Sequence, residues 1–133
     1  AWAHLMCDHA YNEATHAWLQ RYHVPAGERT RIRKQGDFDK FGRTLPITLK
    51  GELTDALLAQ AEEFPQYSLR SIDVERSVGV ANGIVDDNRA NHIDGTPEYS
   101  LFTSDFFHEV FEHANDCLME RLTAYGARVS GGK

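Results

Sequence analysis

The chain has 133 residues, of which 41% are hydrophobic and 26% charged. This length and composition predict one folded domain and exclude a disordered or fibrous protein. The net charge of −6 disfavours a general nucleic-acid coat, and no apolar segment approaches the roughly 20 residues of a membrane span. We expect a single domain over residues 1–129 and a frayed tail over residues 130–133, with no membrane-spanning helix and no secretory leader.

Charge is unevenly distributed along the chain. Residues 1–50 carry eight Lys/Arg and five Asp/Glu, whereas residues 51–133 carry six and fifteen. Asymmetry of this kind concerns partners and association rather than fold. The two cysteines, Cys7 and Cys117, have no metal-ligand spacing. We therefore expect two buried thiols in a reducing cytoplasm, while a disulfide between the first and last helices stays open.

The N-terminal segment has helical periodicity from residue 2 to about residue 24. Small side chains recur at spacings of three and four, and they form a ridge: Ala3, Cys7, Ala10, Ala14 and Ala17. Pro25 ends the helix, because its ring disfavours helical geometry at the preceding residue. We expect the ridge to pack against the last helix, with a second copy of the chain as the alternative.

Three later segments have strand patterns. Residues 29–34 alternate in character, and residues 44–50 alternate around Pro46, which indicates an edge strand. Residues 71–80 place β-branched side chains on one face. Asn82-Gly83 is a residue pair typical of a type I′ hairpin, and Ile84-Val85 is expected to begin the return strand.

Two further helices complete the prediction. A short one is capped by Thr54 or by the preceding loop, ends at Pro65 and has an inward face made of Leu53, Leu57, Ala61 and Phe64. A long one has two candidate starts, Thr96-Pro97-Glu98 and Thr103-Ser104-Asp105, and runs to about Tyr125 with Gly126 as its C-cap. The order is α-β-β-α-β-β-α. The predicted fold is therefore α+β, a small and mostly antiparallel sheet of three or four strands with the helices packed on one face.

Histidine and carboxylate residues on the terminal helices raise the possibility of a divalent metal. The spacing of Glu13 and His16 is the Glu-x-x-His spacing of di-iron bundles. The possible ligands are His9, Glu13, His16, His108 and Glu112. Because the histidine face of the first helix lies opposite the alanine ridge, we expect solvated helix faces instead. No catalytic residue and no cofactor are predicted.

A group of arginines forms a possible anion-binding or partner-binding site. If residues 29–34 are a strand, Arg29, Arg31 and Arg33 lie on one face, and Arg43 extends the basic surface. Guanidinium groups bind phosphate and carboxylate in a forked geometry. Three interpretations stay open: an edge strand protected by its charges, an acidic protein partner, and a nucleic-acid backbone or phosphate ligand.

The leading hypothesis is a small acidic cytoplasmic binding protein that acts through protein–protein contact, as inhibitors, immunity-type proteins and mobile-element accessory proteins do. Its partner surface is expected on the last helix, where one face carries Asp105, Glu109, Glu112, Asp116 and Glu120. The alternatives are a metal-dependent enzyme that uses the terminal helices and a nucleic-acid-binding protein that uses Arg29–Arg33. A homodimer is also possible.

Overall fold

The computed structural model describes residues 2–63 and 65–131, and the chain is all-helical within them. Five α-helices follow in order: α1 (Trp2–Arg21), α2 (Glu28–Thr44), α3 (Asp55–Glu63), α4 (Ser71–Ala90) and α5 (Ser104–Gly131). A short 3-10 helix occupies Pro65–Tyr67. Since the described residues contain no strand, the predicted α+β fold with its antiparallel sheet is wrong.

The chain divides into two compact units. The first contains the chain up to Asp39 and from Glu98 onward, and in it α1 packs against α5. The second is Lys40–Pro97, in which α3 packs against α4. Of the predicted tail, Ser130 and Gly131 form the end of α5. Residues 132 and 133 lie outside the described residues.

The predicted strand at residues 29–34 is the beginning of α2. The side chains of α2 that are buried or half-buried include Thr30, Arg33, Asp37, Phe38 and Phe41, which recur at helical spacing. Because several of them are polar, hydrophobic periodicity does not reveal this inward face. Ile32, the apolar residue in the middle of the predicted strand, is 57% exposed.

The predicted strand at residues 71–80 and its hairpin are both part of α4. The β-branched residues that suggested a sheet divide between two helix faces: Val74 and Val78 are half-buried, whereas Ile72 and Val80 are exposed. Asn82 and Gly83 lie in the interior of the same helix, so they form no turn. Val74 and Val78 are four residues apart and share one helix face, so alternation of β-branched residues did not distinguish a strand from a helix here.

The predicted edge strand at residues 44–50 is irregular chain after Thr44. Side chains of α4 hold its end in place. Asn82 Oδ1 accepts the Gly51 N–H at 2.8 Å, and Asn82 Nδ2 donates to the Gly51 carbonyl oxygen at 3.0 Å. Lys50 Nζ also lies 2.6 Å from a carboxylate oxygen of Asp86. A side-chain amide thus supplies the backbone pairing that a neighbouring strand was expected to supply.

The three predicted helices are present. α1 ends before Pro25 as predicted, and α3 begins after Thr54, whose Oγ1 accepts the Leu57 N–H at 3.1 Å. Leu53 is 46% exposed and so does not face inward, and Phe64 lies outside the described residues. α5 begins at Ser104, so the start at Thr96-Pro97-Glu98 is wrong and the one at Thr103 is confirmed: Thr103 Oγ1 accepts the Phe106 N–H at 3.2 Å. α5 continues through Gly126, so this glycine is not its C-cap.

An aromatic cluster forms the core of the first unit. Phe107 is fully buried, and its ring meets those of Phe38 and Phe102 edge to face, with centroids 5.2 and 5.6 Å apart. Trp18 of α1 packs against Phe106 of α5 with centroids 5.2 Å apart. Edge-to-face ring pairs stabilise the core beyond the free energy that comes from burying their apolar area.

The predicted ridge of small side chains on α1 is buried only in part. Ala10 is buried, whereas Ala3 and Ala17 at the ends of the ridge are exposed.

Candidate functional site

The five predicted acidic residues form a continuous line along α5, which we call the acidic stripe. All of its members are exposed, and they are Asp105, Glu109, Glu112, Asp116 and Glu120. At helical geometry they fall within an arc of about 80° and extend over about 22 Å. The five carboxylates that the sequence predicted on one face of the last helix therefore do lie on one face of α5.

The acidic stripe is electrostatically unfavourable for the helix that carries it. Neighbours such as Glu112 and Asp116 are four residues apart, a spacing at which like charges destabilise a helix by about 0.2–0.5 kcal/mol per pair. Only Asp105 lies in the first turn, where the helix dipole favours a carboxylate. Within residues 2–63 and 65–131, no ion pair or hydrogen bond joins a stripe carboxylate to a cation.

A buried carboxylate on α2 fixes the segment that leads into α5. Asp37 is 1% exposed, and its two oxygens accept the backbone N–H groups of Ser100, Leu101 and Phe102 at 2.7, 2.7 and 2.9 Å. Arg33 reinforces the same segment, since its Nε donates to Ser100 Oγ at 2.8 Å and its Nη2 to the Ser100 carbonyl. These contacts position the first turn of α5, and with it the beginning of the acidic stripe.

The sequence analysis did not identify the role of Asp37, which lies between the two predicted strands at residues 29–34 and 44–50. The signal that could have located it is the helical spacing of Arg33, Asp37 and Phe41. An inward carboxylate at such a position satisfies backbone donors of an irregular segment, because buried N–H groups need partners.

The predicted basic site is not assembled as expected. Because α2 is a helix, Arg29 and Arg33 share one of its faces, and Arg31 lies on another. Arg31 pairs with Glu28, and this hydrogen bond holds the pKa of the Glu28 carboxyl below its ordinary value. Arg43 pairs with Asp87 at 3.0 Å in the second unit. Three of the four arginines therefore serve contacts within the chain, and Arg29 is exposed.

The predicted metal ligands form no common site within the described residues, and among them only His9 and Glu13 are paired. On α1, His9 Nε2 lies 3.4 Å from Glu13 Oε1, and both side chains are about two-thirds exposed. His16 is also exposed. On α5, His108 Nδ1 donates to the Ser104 carbonyl oxygen at 3.0 Å, and Glu112 belongs to the exposed stripe. In the described parts of the chain, no three His, Cys, Asp or Glu residues come together as a metal site.

A groove of about 970 Å³ lies in the first unit between the beginning of α1 and the second half of α5. Its apolar walls include Trp2, Met6, Leu122 and Tyr125. Cys117 also lines it, with Sγ 3.7 Å from His113 Nε2. Both cysteines are free thiols and half-buried, so the helices pack together without a disulfide.

No protein-family model matches this chain, and no curated protein and no solved structure matches it with statistical significance. In addition, none of the helices within the described residues is both long and apolar enough to span a membrane.

Proposed function

We propose that this chain is a small cytoplasmic binding protein that acts through protein–protein contact, and that the acidic stripe of α5 receives a basic surface of its partner. The observation that carries the proposal is an exposed line of five carboxylates with no cation of the described chain paired to it. A partner that supplies cations removes the mutual repulsion of the carboxylates on binding, so part of the binding energy comes from relief of that repulsion.

The charge distribution supports the same role. Residues 51–133 contribute a balance of −9, and the stripe concentrates five of these charges on one helix face. Such a concentration creates a local potential that speeds encounter with a basic surface and orients it. The expected partner is therefore a protein with a groove or helix rich in lysine and arginine, about 20 Å long.

The test is affinity capture from cells of the source organism with three immobilised proteins of controlled charge. The first is the wild-type chain. The second neutralises the stripe with D105N, E109Q, E112Q, D116N and E120Q. The third is a matched control that neutralises five exposed acids of the second unit, with E52Q, D55N, E63Q, E75Q and D94N.

The proposal expects wild type and control to retain the same basic protein and the stripe variant to lose it. Raising the salt concentration should weaken retention, because screening acts on exposed charges. Equal retention by all three proteins, or retention of acidic proteins only, contradicts the proposal.

A further inference from the structure

A thiol and an imidazole lie together in the groove between α1 and α5, and the proposed function does not use them. Cys117 Sγ lies 3.7 Å from Nε2 of His113 and 3.9 Å from Nδ1 of the same ring, so both ring nitrogens are within reach of the thiol. The nitrogen that carries no proton can accept the S–H. An imidazole beside a thiol is the arrangement that activates a nucleophilic cysteine.

A guanidinium group follows the thiol along the same helix. Arg121 lies four residues after Cys117, just as Cys117 lies four residues after His113, so the three side chains share one face of α5. All three line the groove. Within residues 2–63 and 65–131, neither an ion pair nor a hydrogen bond joins the Arg121 side chain to another residue. Its charge is therefore available to stabilise a thiolate.

The groove provides room for a small molecule next to this thiol. Its volume of about 970 Å³ lies in the range of about 300–1,000 Å³ that small-molecule sites have. Trp2 and Tyr125 contribute apolar walls, whereas Glu13 and Glu120 add carboxylates to the lining. Because the lining carries charges of both signs, it favours a reactant that has no net charge.

The second cysteine of the chain has different surroundings. Cys7 is half-buried like Cys117, but it does not line the groove. Within the part of the chain that the structure describes, no hydrogen bond joins Cys7 to a histidine. Its neighbour is Tyr11, and burial, followed by the nearby Cys7 thiol, raises the pKa of the Tyr11 hydroxyl. Two neighbouring acids disfavour each other's ionised form, so this site does not activate a thiol.

We infer that Cys117 is a reactive thiol, activated by His113 and Arg121, that forms mixed disulfides with small disulfides of no net charge. This inference goes beyond the proposed function and does not rest on it. The Cys117 proton passes to His113, and the thiolate attacks one sulfur of the small disulfide. A bond forms between Cys117 Sγ and that sulfur, while the original S–S bond breaks. The released thiolate takes the proton from His113, so Cys117 is oxidised and the small disulfide is reduced.

The test compares both thiols of the full folded chain during reaction with 2-hydroxyethyl disulfide, a probe without charge. Peptide mass spectrometry of samples quenched over time gives one rate constant for each thiol. Cys117 should react at least about threefold faster than Cys7. The difference is no larger because a stabilised thiolate is more abundant but also less nucleophilic.

Two variants separate activation of the thiol from its mere accessibility. H113Q removes the proton acceptor and R121Q removes the cation, and each should lower the rate constant of Cys117 about threefold. The matched controls are H16Q and R89Q, which change exposed side chains of the same types outside the groove. Both controls should leave the rate constant of Cys117 unchanged.

Cys7 reports in the same samples whether each variant stays folded, because unfolding exposes this half-buried thiol and raises its rate constant. A wild type in which Cys117 reacts no faster than Cys7 overturns the inference. A folded H113Q or R121Q in which Cys117 keeps its wild-type rate constant overturns it as well. If one of these variants unfolds, the other variant and the wild-type comparison decide.

Discussion

Asp37 Oδ2 accepts the backbone N–H of Phe102 at 2.9 Å. This hydrogen bond links α2 to an aromatic residue of the core that precedes α5 in the chain. Phe102 is 4% exposed and stacks on Phe106 with ring centroids 4.3 Å apart. The same carboxylate accepts two further N–H groups. A single side chain thus supplies the hydrogen-bond acceptors for three backbone N–H groups in a segment without regular secondary structure.

Replacing Asp37 should therefore be costly. In D37N, one acceptor oxygen becomes an NH₂ group that faces a buried N–H, and the charge that strengthens the remaining bonds is lost. We expect the free energy of unfolding to fall by about 3 kcal/mol, measured by urea denaturation. The control is D105N, an exposed change of the same chemistry, which should cost less than about 0.5 kcal/mol. Equal effects of the two substitutions contradict the role of Asp37.

Asn82 should stabilise the second unit through the Gly51 backbone. Removing its amide in N82A leaves the N–H and carbonyl of Gly51 without their partner, and we expect a loss of about 1 kcal/mol in urea denaturation. Alanine is the better helix former, so a loss of stability cannot come from helix propensity. N88A in the same helix provides the comparison and should be neutral or slightly stabilising. A stabilising N82A rules out this role.

His23 ends α1 in a left-handed conformation, with φ of 51°. Val24 N–H donates to the Leu19 carbonyl and His23 N–H to the Gln20 carbonyl, which is the Schellman arrangement that usually contains glycine. H23G should raise the melting temperature, with a gain of about 0.5–1 kcal/mol from relief of backbone strain. H16G should lower the melting temperature, with a loss of about 0.5 kcal/mol in the free energy of unfolding, because His16 lies inside the same helix and glycine is the poorer helix former. Changes of the same sign would refute this interpretation.

The Arg70–Asp73 pair at the beginning of α4 should make stability depend on pH. Arg70 Nε and Nη2 both donate to the Asp73 carboxylate at 2.9 Å, and these bonds hold the pKa of Asp73 below its ordinary value. Folding favours the ionised form, so the contribution is complete above the unfolded pKa of about 3.9 and is lost as pH falls through the lower folded pKa.

R70Q should raise the pKa of Asp73 toward its ordinary value in an NMR titration. The stability difference between wild type and R70Q should be present at pH 7 and shrink under acid conditions. R89Q, in the last turn of the same helix, should leave the titration of Asp73 unchanged. An unshifted Asp73 in R70Q would show that the pair does not form in solution.

The helices α1, α3 and α5 could be predicted from the sequence, whereas α2 and α4, which have polar side chains among their inward-facing ones, were predicted as strands. α1 and α5 bury Ala10, Phe107 and Val110 at helical spacing, so their periodicity was visible. α2 buries Asp37, and α4 turns Asn82 toward Gly51. Each of these polar contacts is made with a segment that is distant in sequence, so the local sequence pattern around α2 or α4 does not reveal it.

The candidate site divides in the same way. Helix periodicity alone places the five residues of the acidic stripe on one face, so their common position could be predicted from the sequence. The predicted basic site required a strand at residues 29–34. Because these residues lie in α2, Arg31 is on a different face from Arg29 and Arg33. The exposure of Leu122, Tyr125 and Val129 on α5 depends on what the fold packs beside them, which the sequence pattern alone does not contain.

The most direct test of the central claim is NMR chemical-shift mapping of the chain against a basic partner recovered by capture. The account predicts that the perturbed amides cluster on the stripe face of α5 between Asp105 and Glu120, and that the stripe-neutralised variant shows no such perturbation. Perturbations confined to Lys40–Pro97, or equal binding by the neutralised variant, would contradict it.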